Sequence, residues 1–93
     1  MKKQVKVFPV IEKYLTQKGQ ASLVAKIEER RNFGIKKYGT ELHTLNNRDA
    51  KKDAEEEILD CFQYVTQIGL EKKIEVDEVL DKLIEVYTQL QEV

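Results

Sequence analysis

Along almost the whole chain, apolar residues recur at steps of three and four, and no stretch alternates with the two-residue period of a strand. That pattern confines the fold to packed helices. Pro9 suits the first turn of a helix, where its missing N–H costs nothing. Ile11, Tyr14 and Leu15 then follow at helical spacing, and Gly19 provides a stop. Ser22 is placed to cap a second helix, with Leu23, Val24, Ile27, Ile35 and Tyr38 on its inner face and Gly39 closing it. A loop from Gly39 to Asn47 leads to a third helix, capped by Asn46 or Asn47 and running to about Glu71. Its expected core face is Ala54, Ile58, Cys61, Val65 and Ile68. Lys72, Lys73 and the residues near Glu75 turn the chain into a fourth helix that buries Val76, Val79, Leu80, Leu83, Tyr87 and Leu90. The expected fold class is all-α, a four-helix bundle.

At 93 residues the chain is read as one domain, 1–93, with a modest core. Such a core favours a homo-oligomer, a dimer or tetramer, that covers more apolar surface. The formal net charge of −1 gives no global field to attract polymeric nucleic acid or an anionic membrane. The single Cys61 cannot form an internal disulfide, and no apolar run approaches the length of a membrane span. A soluble, cytoplasmic protein is expected.

Two charged segments carry the candidate chemistry. In Asp53-Ala54-Glu55-Glu56-Glu57-Ile58-Leu59-Asp60, the helical repeat gathers Asp53, Glu57, Asp60 and, one turn on, Tyr64 within an arc of roughly 60°. Glu57 is expected nearest the core, with Glu55 and Glu56 turned to water. Clustered carboxylates repel one another, and a hard cation such as Mg²⁺ with oxygen ligands offsets that repulsion. The plainer reading is a solvated face whose acids are favoured by the helix dipole and neutralised by Arg48, Lys51 and Lys52.

The second segment, Glu28-Glu29-Arg30-Arg31-Asn32-Phe33-Gly34-Ile35-Lys36-Lys37-Tyr38-Gly39-Thr40, gathers cations and aromatics beside the loop. Arg31 falls inside the apolar sector, and a buried arginine needs an anionic partner. Glu57 and a ligand phosphate are both suitable. Phe33 lies on the outer side, as a subunit contact or a surface for a base. His43 is a lone loop histidine, more plausibly structural than catalytic.

In order and spacing, Phe33-Gly34-x-x-Lys37-Tyr38-Gly39-Thr40-x-Leu42, Asn46-Asn47-Arg48-Asp49-Ala50 and Asp53-Ala54-x-Glu56-Glu57-x-x-Asp60-x-x-x-Tyr64 together resemble small MazG-like nucleotide pyrophosphohydrolases, particularly the short forms common in phages and prophages. The likeness spans about residues 28 to 68. It implies an all-α NTP pyrophosphatase fold, dimeric or tetrameric, that uses Mg²⁺ to convert a (d)NTP to (d)NMP and pyrophosphate. It further implies Glu57 and Asp60 as catalytic metal ligands, with Asp53 and Glu28 as further metal-site acids. Arg30, Arg31, Lys37 and Arg48 then contact phosphates, and Tyr38 packs on the nucleotide. One departure stands out. The larger family carries Glu-Glu-x-x-Glu on the second helix, whereas Glu28-Glu29-Arg30-Arg31-Asn32 ends in an asparagine. Hydrolysis is therefore weighed against a non-catalytic nucleotide-binding or sequestering protein on the same scaffold, and against a helical protein-interaction module.

Overall fold

The computed structural model describes residues 2–93. It is all-helical: α1 is Val7–Gln17, α2 Ala21–Tyr38, α3 Ala50–Lys72 and α4 Asp77–Gln91. Among the described residues, extended pairing is limited to one isolated antiparallel bridge between Lys6 and His43. The chain divides into two compact units, Met1–Arg48 and Asp49–Val93, each a helical hairpin.

In the first unit α1 begins without a side-chain cap. The Val7 N–H donates instead to the Leu42 carbonyl at 3.1 Å, and Pro9 in the same turn has no N–H to satisfy. The loop is thereby fastened to the start of α1. The Thr44 N–H donates to the Val5 carbonyl at 2.9 Å, and the Val5 N–H returns to Thr44 Oγ1 at 2.9 Å.

The C-terminus of α1 is a Schellman turn. Gly19 takes φ 73°, its N–H donates to Thr16, and the Gln20 N–H reaches back to Leu15 at 2.9 Å. Gly19 and Gly39 thus serve as stops, as their positions in the sequence suggest; Gly39 has φ 80° and donates to Ile35 at 2.7 Å. Ser22 does not cap α2, because the helix has already begun at Ala21, after Gln20.

Phe8 and Leu15 form the buried centre of this hairpin, with Ile11, Val24, Ile27 and Ile35 half-buried around them. Tyr14 and Tyr38 are exposed, against expectation. Each ring lies beside a lysine of its own helix end, Lys18 over Tyr14 and Lys37 over Tyr38.

In the second unit Asp49, rather than Asn46 or Asn47, caps α3 by accepting the Lys52 N–H at 3.1 Å. Both asparagines are committed elsewhere. The Asn46 side-chain oxygen accepts the Arg48 N–H at 3.1 Å, and Asn47 adopts a left-handed φ of 64°. Ala54, Ile58, Cys61 and Val65 lie on the α4-facing side as expected, joined by Phe62. Ile68 and Val79 are exposed instead of buried.

The close approach in this hairpin is at Gly69, where a Cβ would lie 3.0 Å from Val76 Cγ2 and 3.1 Å from the Ile74 carbonyl oxygen. Only glycine lets the connection fold back so tightly. Lys51 Nζ donates to the Gln91 carbonyl at 3.2 Å, a cation placed at the C-terminus of α4 rather than on the acids of its own helix.

Candidate functional site

The acidic part of the site belongs to α3. Asp53, in its first turn, is half-buried, whereas Glu57, Asp60 and Tyr64 are exposed. Glu57 therefore does not border the core. The α4-facing side is centred on Ile58, Val65 and Phe62, and one helical step carries Glu57 beyond its edge. Glu55 falls on the opposite flank beside Phe62 and is half-buried, so the expectation that it points to water fails. Glu57 and Asp60 make no hydrogen bond or ion pair among the described residues, so their oxygens remain available.

The basic part belongs to α2 and its loop. Arg30 lies with its guanidinium carbon 4.8 Å from the Phe33 ring centre, and Phe33 is 52% exposed. Lys37 Nζ sits 5.3 Å from the Tyr38 ring, which is 72% exposed. Both aromatics offer a free face beside a cation, the chemistry that stacks a base or holds an anion.

Arg31 is different. Its guanidinium lies 4.2 Å from the ring of buried Phe8, pairs with Glu28 at 3.6 Å, and donates to the Asn32 side-chain oxygen at 3.3 and 3.4 Å. This residue is engaged within its own hairpin. Glu28, the α2 acid counted toward a metal site, is the partner that engages it.

His43 is half-buried, with Nδ1 2.8 Å from the Thr44 carbonyl oxygen, so it belongs to the bridge that holds the loop. Lys26 was not part of the motif segment, yet it lies one turn before Arg30 on the same exposed side. A step of four residues is the signal that finds it.

The oxygen donors of Asp53, Glu57 and Asp60 suit a hard dication in kind. In arrangement they do not yet form a cage: among the described residues no group of three or more His, Cys, Asp or Glu side chains is placed to hold an ion. Two open grooves, of about 520 and 530 Å³, lie elsewhere. One follows Phe62, Thr66 and Leu70 along α3; the other runs beside Val5, Val10 and Tyr14.

No family model, curated protein or solved structure matches this chain. Among the described residues no helix is long and apolar enough to cross a membrane.

Proposed function

We propose that this chain is a small MazG-like nucleotide pyrophosphohydrolase that binds a (d)NTP with Mg²⁺ and releases (d)NMP and pyrophosphate. In this reading it is a single-domain four-helix bundle, assembled as a homodimer or homotetramer in the cytoplasm. The observation that carries the proposal is the exposed α3 stripe, in which Glu57, Asp60 and Tyr64 share one side and, among the described residues, no cation pairs with Glu57 or Asp60. It supports the reading together with the exposed cation–aromatic pairs of α2.

Water attacks the α-phosphorus, the bond to the bridging oxygen breaks, and pyrophosphate leaves. A carboxylate of the Asp53, Glu57 and Asp60 group takes the proton of the attacking water. Arg30, Lys37 and Arg48 stabilise the charge that gathers on the phosphates. Tyr38 packs against the nucleotide. Asp53, Glu57 and Asp60 would hold Mg²⁺ together with the triphosphate, and the ion would supply partial neutralisation of the phosphate charge. The test is pyrophosphate release from a panel of nucleotides with Mg²⁺. The wild type should turn over at least one of them, and Glu57→Gln should be slower by about 10²-fold or more. No turnover of any nucleotide, with Glu57→Gln indistinguishable from wild type, rules out hydrolysis.

A specific observation favours a second reading, a protein that binds a nucleotide without cleaving it. Asn32 stands where a third acid would, and both Asn32 and Glu28 are directed at Arg31. Calorimetric binding of a nucleotide that is recovered intact supports this reading over the first.

A further inference from the structure

On α2, Lys26, Arg30, Phe33 and Lys37 follow one another at steps of four, three and four. All four are exposed, and the helical repeat puts them within an arc of about 60°. On α3, Asp60, Tyr64, Gln67 and Glu71 repeat the same rhythm over the same twelve-residue span, also exposed and also within about 60°. The hairpin contact of each helix uses a different side: Val24, Ile27 and Ile35 on α2, and Ile58, Phe62 and Val65 on α3.

The two stripes match when one is read backwards. Lys26 then faces Glu71, Arg30 faces Gln67, Phe33 faces Tyr64 and Lys37 faces Asp60. Each cation meets an acid or an amide oxygen, and the two aromatics meet in the middle. Lys26, Arg30 and Lys37 make no ion pair with an acid among the described residues, and Arg30 and Lys37 lie only beside the Phe33 and Tyr38 rings of their own helix. Asp60 likewise makes no ion pair among the described residues, and Glu71, exposed, accepts only from the neutral Gln67 Nε2, at 2.9 Å on one oxygen and 3.5 Å on the other, so its charge is unpaired among the described residues.

We infer that the exposed face of α2 docks antiparallel on the exposed face of α3 of a second copy of this chain, with Phe33 against Tyr64 as the anchor and charge pairs setting the register. Opposite charges at matched heptad positions are the device by which helices choose partner and orientation. An aromatic pair adds packing that solvent-exposed charge pairs alone do not supply. The contact is small and charged, so the association is weak and salt-sensitive. The inference rests on the homo-oligomer of the proposed function and shares Arg30, Lys37 and Asp60 with its nucleotide site, and the two are told apart because assembly is measured without nucleotide or Mg²⁺.

Sedimentation equilibrium of the full chain over a wide concentration range tests it. Wild type should self-associate, more weakly in about 0.5 M salt, where charges are screened within a few ångströms. Lys26→Glu with Lys37→Glu in one chain, and Asp60→Lys with Glu71→Lys in another, should each weaken association at least tenfold. An equimolar mixture of the two variants should associate again, because each stripe then meets its opposite. All eight positions are exposed, and helical circular dichroism verifies that each variant is folded. A monomer at every concentration overturns the inference, as does association that neither double variant weakens or a mixture that fails to recover. Charge reversals that shift the melting temperature without any concentration dependence overturn it too, by assigning the stripes to contacts within one chain.

Discussion

Two glycines inside helices answer the same substitution in opposite ways. Around Gly34 a Cβ would meet nothing within 4 Å, so Gly34→Ala should stabilise the chain by about 0.5–1 kcal/mol through helix propensity and a less free unfolded chain. At Gly69 the same methyl group meets Val76 at 3.0 Å and the backbone oxygen of Ile74 at 3.1 Å. The valine can turn, but the carbonyl accommodates the methyl only if the connection moves. Gly69→Ala should therefore lower the urea midpoint despite the same propensity gain. Lys73 is a third case, because it holds the left-handed conformation, φ 56°, with a side chain that costs roughly 1 kcal/mol there. Lys73→Gly should raise the midpoint, and a fall would show that the lysine side chain contributes more than the strain it imposes.

Helix starts and stops divide at the next scale. The stops were legible, since glycines at 19 and 39 sit where the apolar period ends and only a left-handed residue completes the turn. Of the starts, Pro9 marked the first turn of α1, but the caps of α2 and α3 were not legible. Asn46, Asn47 and Asp49 all carry an acceptor suited to a cap, and which one serves depends on loop dihedrals that spacing does not encode. Asp49→Ala should cost about 1 kcal/mol in urea denaturation, whereas Asp49→Asn should cost little.

Arg31 shows the same division. The helical wheel places it inward, yet its partner Phe8 lies on another helix, outside anything a local pattern reports. Arg31→Ala should destabilise the first hairpin by about 1–2 kcal/mol, the combined loss of a partly desolvated cation–π contact and of packing on Phe8. Its effect on nucleotide affinity, measured where the variant remains folded, should be smaller than that of Arg30→Ala.

Each hairpin was readable at the level of the molecule because its apolar stripe is continuous in sequence. Leu80, Leu83, Tyr87 and Leu90 are half-buried as their spacing requires. The candidate site was readable only in pieces. Glu57, Asp60 and Tyr64 do share a side of α3, and Arg30 and Lys37 an exposed side of α2. What was misread is depth: Glu57 is exposed and Glu55 half-buried, because Phe62 joins the contact and Ile68 leaves it, turning its centre by about 40° away from Glu57 and towards Glu55. A ligand that binds the native state must raise its stability, by about 2.7 kcal/mol at a hundred times its dissociation constant. The most direct measurement is therefore the melting temperature of the full chain with Mg²⁺ and a non-hydrolysable nucleoside triphosphate. A rise of several degrees, reduced in the Arg30→Ala and Lys37→Ala variants, is the predicted result; an unchanged melting temperature at millimolar nucleotide, for every base and sugar tried, would contradict a nucleotide site and leave a helical interaction module in its place.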